Sequence, residues 1–200
     1  MTNRPQAVLE FWFGRPDTAT GISARQGHLW FGKSQANDRA VSEQFSATLS
    51  AAAAGQLDHW ADTPSGRLAL IIVLDQFPHH VHRDTPLAFA TDARALALTR
   101  EALAAREDTQ LTPIERVFLY LPLEHAESND MQALSVSLYE QLLAEAPENE
   151  RGLFADFLKY ARSHRDVVAR FGRFPHRNAI LGRPSTPDEI EFLQQPGSRF

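Results

Sequence analysis

The chain has 200 residues, of which 43% are hydrophobic and 13 are Phe, enough material for the core of one domain. Its net charge of −5 argues against a general nucleic-acid binder, and the lack of Cys excludes disulfides, thiolate nucleophiles and zinc-thiolate sites. The longest apolar run, residues 68–74, is far shorter than the ~20 residues that span a bilayer, and the start lacks an apolar stretch of signal-peptide length. We therefore expect a cytoplasmic protein that binds neither membranes nor nucleic acids.

The N-terminal part of the chain, residues 1–35, is predicted to form short helices. Pro5 at a first-turn position opens a helix that Gly14 ends. Trp30 and Phe31 mark a second short aromatic element.

Longer helices are expected to follow. Asn37 and Asp38 cap a helix that Gly55 closes, and the next helix begins at Pro64 and runs to Phe77. The remaining predicted helices are Thr91 to about Ala105, Thr112 to about His125, Ser128 or Asn129 to Pro147, Glu150 to Phe171, and a short one from Thr186. Residues 112–115 and 186–189 are capping boxes with Pro just inside, which is a specific helix-start signal. Residues 173–200 are expected to form a C-terminal motif and a short capping helix.

The run at residues 68–74 suits a buried strand as well as a helix. We interpret it as a helix because Pro64 leads into it and no second strand-like run exists for it to pair with. A helix that is apolar all round belongs in the middle of a helical stack. We predict a single all-α domain over residues 1–200, an α-solenoid or TPR-like stack of antiparallel helix pairs rather than a four-helix bundle.

Two similar phrases combine an aromatic–proline pair with histidine: residues 75–80, Asp-Gln-Phe-Pro-His-His, and residues 172–177, Gly-Arg-Phe-Pro-His-Arg. Proline disfavours helical geometry in the residue before it, so each phrase predicts the end of a helix. Backbone groups at such an end lack partners, and each break presents a His with its polar neighbours. If the two breaks face each other, they form a polar pocket in an otherwise apolar protein.

The second phrase lies in a basic segment, residues 159–183, which carries seven Lys and Arg against one acidic residue. Arginine binds carboxylate or phosphate through a two-pronged fork. Arg173, His176, Arg177 and Asn178 are therefore candidates for holding a small anion. Alternatively, the arginines form a solvated face or pair with the acidic remainder of the chain.

Asp75 and Gln76 are the first polar groups after the apolar run, and we count them among the candidate ligand-binding residues. An unpaired buried charge is very costly, so Asp75 must be paired. We expect Arg173 or Arg177 to be its partner. That pair would join two helix ends as a salt bridge, form the wall of a pocket, or do both.

Glu124 and His125 are the candidate catalytic residues. His125 falls on the buried stripe of its predicted helix with Glu124 beside it, and a buried acid next to an imidazole suits general acid–base chemistry. Glu127 belongs to the same segment. In the alternative interpretation, the helix dipole favours a histidine at this end and Glu124 bonds to an arginine.

His164 lies on the apolar stripe of the last long helix, where a single histidine is more often a hydrogen-bonded core residue than a ligand. Beside His125 or His176 it could help to bind zinc, but no close-spaced ligand pair supports a metal. We expect neither a metal nor a cofactor. The three histidines within residues 79–82 are expected to be surface residues of a loop.

Several strings of this chain occur together in one known family: Val8–Gly14, Gly66–Ile72, Leu74–Pro78, Ala88–Asp92, Leu119–Leu123 and Arg170–Asn178. The chain resembles the bacterial DUF924 family over nearly its whole length. The resemblance implies an all-helical, TPR-like fold and no established activity. The chain departs from the family pattern at His79 and His80, where Arg-Asn is usual, and at Ala126, where Ser is usual.

Two functional hypotheses follow. In the first, the polar pocket binds a small anionic ligand that bears phosphate or carboxylate, and Glu124 with His125 could add acid–base chemistry. In the second, the chain is a TPR-like module that binds a peptide or a partner protein without catalysis. The sequence leaves open whether the protein is an enzyme.

Overall fold

The apolar run at residues 68–74 lies in one central helix, α4 (Pro64–Asp75), and both its helical state and its central position confirm the prediction. The computed structural model describes residues 4–198, and these residues form helices and no strand. Every side chain from Leu68 to Asp75 is fully buried. Burial of each Leu, Ile or Val side chain contributes roughly 1.5–3 kcal/mol, so this helix forms the middle of the core.

The other helices pack around α4 and on one another. The remaining α-helices of the described chain are α1 (Pro5–Phe13), α2 (Ala19–Phe31), α3 (Gln35–Ala53), α5 (Phe77–Val81), α6 (Asp92–Ala104), α7 (Pro113–Glu124), α8 (Asn129–Glu145), α9 (Arg151–Phe171) and α10 (Pro187–Phe192). Helix α4 contacts α1, α3, α6 and α7, while α7 packs on α8 and α8 on α9. This order of neighbours is compatible with a stack of helix pairs. Within residues 4–198, no helix combines the length and the apolarity needed to cross a bilayer.

Two N-terminal helices are longer than the sequence suggested. The aromatic element at Trp30 is the end of α2, which begins after Thr18, whose side chain accepts a hydrogen bond from the Gly21 amide. Helix α3 begins before the expected caps because Ser34 takes that role and accepts from the Asn37 amide.

The first Phe-Pro phrase ends one helix and starts another. Helix α4 stops at Asp75, one residue links the two, and α5 begins at Phe77 with Pro78 in its first turn. Proline is tolerated there because the first amides of a helix have no intrahelical acceptor. The phrase therefore breaks the helix as predicted, but His79 and His80 are helical instead of lying in a loop.

Both predicted capping boxes are present, at the starts of α7 and α10. Helix α9 ends as expected at Gly172, whose φ of 69° is in the left-handed region that favours glycine. This turn directs the second Phe-Pro phrase back towards the protein, where residues 175–177 form one short 3₁₀ turn.

The end of α7 is closed by a side chain from α8. Gln132 is fully buried, and its Nε2 donates to the carbonyls of Glu124 at 2.6 Å and Ala126 at 2.8 Å. These carbonyls are among those that a helix end leaves without partners. Gln132 thus holds the segment that carries Glu124 and His125.

We expect Gln132→Met to lower the free energy of unfolding by about 1–2 kcal/mol, because two buried carbonyls lose a donor. The same change removes the Oε1 of Gln132, a buried atom that has no hydrogen-bond partner in the described chain. Removal of that unfavourable atom offsets part of the loss in stability. Urea denaturation measures the difference, and Gln141→Met on the exposed side of α8 is the control. Equal stability of the two variants would contradict this role.

Candidate functional site

The two Phe-Pro breaks lie close together in the folded chain, as predicted. The Phe89 ring links them, because its centroid lies 5.4 Å from the ring of His79 and 4.7 Å from the guanidinium carbon of Arg177. The ring of His79 is in turn 5.7 Å from that of His125. We call the residues that meet here the polar cluster: Asp75, His79, Phe89, Asp92, His125, Phe174, His176 and Arg177.

Asp75 is the fully buried acid of the polar cluster, and its partner is His125. Its Oδ1 lies 2.9 Å from His125 Nδ1, and its Oδ2 accepts a hydrogen bond from Gln76 Nε2 at 2.6 Å. The prediction of Arg173 or Arg177 as the partner of Asp75 is wrong. Helix α4 packs on α7, so the end of α4 meets the residue that follows α7, and both arginines bond elsewhere.

This contact favours the charged form of both groups. Burial acts to raise the pKa of Asp75, but the charge and the hydrogen bond of His125 outweigh it and lower that pKa. Burial also disfavours a charged His125, yet the Asp75 carboxylate raises the pKa of His125 above its ordinary value. The Nδ1 nitrogen of His125 is engaged by the Asp75 carboxylate, so the Nε2 nitrogen is the one left for a ligand. The His125 side chain is 17% exposed, so the pair is accessible from its imidazole side.

Arg177 is buried against two aromatic rings. Its guanidinium carbon lies 4.7 Å from the centroids of Phe89 and Phe174. Its hydrogen bonding is poor for a buried arginine, since Nη1 donates to Asp92 Oδ2 at 3.3 Å. The Nε of Arg177 and the Oδ1 of Asp92 are both buried and have no hydrogen-bond partner within residues 4–198. Burial lowers the pKa of Arg177, and the nearby carboxylates oppose that shift.

Asp92 is the charged residue of the polar cluster that the sequence analysis did not identify as a candidate. It lies in the first turn of α6, and its side chain is 21% exposed. Burial, and then the charge of Asp75, raise the pKa of Asp92 to about 6. The sequence signal for Asp92 is its place in the string Ala88–Asp92, which also contains Phe89 and is one of the strings that carry the family resemblance.

Two imidazoles of the polar cluster, those of His79 and His176, are neutral. Burial and the charge of His125 lower the pKa of His79 to about 3, and burial with the charge of Arg177 lowers that of His176 to about 3. The expected surface position of His79 is thus wrong, because α5 turns it towards the site. His80 is also buried and lies 2.9 Å from an Asp38 carboxylate oxygen.

Glu124 pairs with His164 and not with its neighbour His125. Its Oε1 lies 3.0 Å from Nδ1 of His164 on α9, and that nitrogen is also 2.9 Å from the Tyr160 carbonyl. No arginine of residues 4–198 pairs with Glu124, so the alternative interpretation is wrong in this respect. The rings of His125 and His164 are 6.4 Å apart, so two carboxylate–imidazole pairs lie side by side.

Arg173 and Asn178 lie away from the cluster and hold the C-terminal segment. Both oxygens of Glu189 accept from Arg173, at 2.7 and 2.9 Å, and one also accepts from Asn178 Nδ2 at 3.3 Å. The hydrogen bonds from Arg173, acting against burial, lower the pKa of Glu189 to about 2. Glu189 caps α10 through the Thr186 amide. Arg173 and Asn178, which are candidate ligand-binding residues by sequence, therefore bind the carboxylate of the capping box instead.

Glu127 connects the end of α7 to the second Phe-Pro phrase. Its Oε1 accepts from the Phe174 amide at 2.8 Å, and both of its oxygens accept from Arg183, at 2.6 and 2.9 Å. Glu127 thereby fixes one of the rings against which Arg177 packs. Across the described part of the chain, His, Asp and Glu side chains form no group of three or more that could hold a metal ion.

The chain belongs to the DUF924 family, described as "Bacterial protein of unknown function", whose pattern matches residues 8–197. A solved structure of a protein of unknown function from Agrobacterium tumefaciens is similar, with 34% sequence identity and a TM-score of 0.80. The likeness covers 95% of this chain and 96% of that one. No curated protein matches the sequence.

We expect Asp75→Asn to lower the pKa of His125, because the adjacent negative charge is removed while the size of the side chain is kept. An NMR titration of the histidine side chains measures this shift. Asp130→Asn, at an exposed position near the start of α8, is the control. A His125 pKa that stays the same in both variants would show that Asp75 does not set it.

We expect Asp92 to make the stability of the protein fall as pH rises through its titration. The folded protein holds this proton to a pKa of about 6, against 3.8 for the ordinary group, so it binds more protons than the unfolded chain in that window. Relative to Asp92→Asn, the wild type should lose up to ~3 kcal/mol of unfolding free energy between pH 4 and 7. Urea denaturation at several pH values tests this, and a constant difference between the two proteins would refute it.

Proposed function

We propose that this DUF924 protein binds a small anion that carries a carboxylate or phosphate group at Arg177, and that His125 can exchange a proton with the bound ligand. The observation that carries the proposal is the unpartnered Nε of a buried arginine. A buried donor without an acceptor costs about 1–3 kcal/mol, and an anionic ligand would relieve that cost.

Other arginines of the chain indicate what the Nε and Nη2 side of a guanidinium can bind. Arg83 and Arg173 each use Nε and Nη2 to hold a carboxylate, with N···O distances of 2.6–2.9 Å. Arg177 uses Nη1 for Asp92, and within residues 4–198 no carboxylate lies on the side of the guanidinium that carries Nε and Nη2. Two oxygens of a carboxylate or phosphate match that side in geometry and in charge.

His125 supplies the second interaction with the ligand. The Asp75 carboxylate raises the pKa of His125 and so favours the imidazolium form, which attracts an anion and can donate a proton from Nε2. Asp75 acts as a positioning residue that fixes the ring. Glu124, our first candidate for an acid–base role, would instead position His164. The burial of Asp75 and Arg177 favours a small ligand over a peptide in an open groove, which was the alternative.

We expect inorganic phosphate or acetate to raise the melting temperature of the wild type by about 5–10 °C at a hundredfold excess over Kd. Arg177→Lys should remove this shift, because lysine keeps the charge beside Asp92 but has no fork. Differential scanning fluorimetry measures both proteins.

The matched control is Arg173→Lys, which breaks an equivalent fork at Glu189 and should keep the ligand-induced shift. Two outcomes contradict the proposal: equal shifts in wild type and Arg177→Lys, or no shift in the wild type with either anion.

A further inference from the structure

We infer that the Arg177 site takes a singly charged anion, and that Asp92 takes up one proton as the anion binds. The inference rests on the proposed function and adds the charge state of its ligand. It follows from the way in which Asp92 and Arg177 are bonded and from the charges around them.

The Arg177–Asp92 pair is held far more weakly than the other buried or half-buried pairs of this chain. Its N···O contact is 3.3 Å, whereas the fork contacts of Arg83 with Asp38 are 2.6 and 2.7 Å. One oxygen of Asp92 is buried and accepts no hydrogen bond from the described chain. A buried carboxylate with one long hydrogen bond is a poorly stabilised charge.

The charges that face Asp92 come from three directions. Asp75 at the end of α4 and Glu127 after α7 act to raise its pKa, in addition to burial, while His125 and Arg177 act to lower it. An anion bound to Arg177 adds a negative charge near Asp92. It also competes with the Asp92 carboxylate for the guanidinium that stabilises it. Both effects disfavour the Asp92 carboxylate, so its pKa rises further and a proton is taken up near neutral pH.

The remaining charges limit the ligand to one negative charge. Asp75 pairs with His125, and Glu127 pairs with Arg183. The imidazoles of His79 and His176 are neutral because burial lowers their pKa values to about 3. Once Asp92 is protonated, Arg177 is therefore the cation left to balance the ligand. A dianion would bring a second negative charge that no group of the cluster neutralises.

The test uses acetate and sulfate, a monoanion and a dianion that do not change charge between pH 6 and 8. For the wild type, the association constant of acetate should fall about tenfold per unit between pH 7 and 8, as linkage to one proton requires. In Asp92→Asn the constant should be nearly independent of pH over that unit. Isothermal titration calorimetry in two buffers of different ionisation enthalpy should give uptake close to one proton for the wild type at pH 7.5.

The calorimetry needs no variant, so it decides the question even if Asp92→Asn does not fold. Acetate that binds with the same affinity at all pH values would overturn the proton coupling and leave the proposed function standing. If the association constant of acetate still falls with pH in Asp92→Asn, another group takes up the proton and the role of Asp92 is overturned. His125 is then the first group to examine. Sulfate that binds as tightly as acetate would overturn the preference for one charge. If neither acetate nor phosphate binds the wild type, the proposed function fails, and this inference fails with it.

Discussion

A fully buried carboxylate at the end of the most apolar helix constrains the whole site. Asp75 has no access to water, and a charge in that position costs several kcal/mol unless it is paired. Its contact with His125 therefore ties the end of α4 to the end of α7. Two residues further along, Glu127 bonds the amide of Phe174, which is one of the rings that hold Arg177. One helix end thus positions both the imidazole and the guanidinium of the cluster.

The fold was predictable because its signals are local. The capping boxes at residues 112–115 and 186–189, the glycine at 172 and the all-round apolar run each specify a helix start, a helix end or a buried helix without reference to the rest of the chain. Predictions were less accurate where several residues compete for the same local role. Ser34 rather than Asn37 starts α3, because a hydroxyl three residues earlier already satisfies the Asn37 amide.

The sequence suggested that the two Phe-Pro breaks could meet but did not predict the pairings around them. The partner of each charge depends on how distant helices pack. Asp75 and His125 are 50 residues apart, and Asp92 and Arg177 are 85 apart. Neighbouring helical positions also point roughly 100° apart, so Glu124 faces α9 while His125, just past the end of the same helix, faces α4.

The ion pairs of the described chain differ in how completely they satisfy their charged groups. Arg173 with Glu189 uses a two-pronged contact within the C-terminal segment and leaves no oxygen of that carboxylate without a donor. Arg177 with Asp92 has one N···O contact, of 3.3 Å, and each partner keeps a buried polar atom that has no hydrogen-bond partner in the described chain. Such unsatisfied groups are uncommon in folded proteins, and each needs a physical explanation. The buried Oε1 of Gln132 shows that one unsatisfied atom is compatible with a structural role, whereas here both charged partners of a pair are left incomplete. That combination, rather than the number of basic residues around it, is the observation on which the proposed ligand site rests.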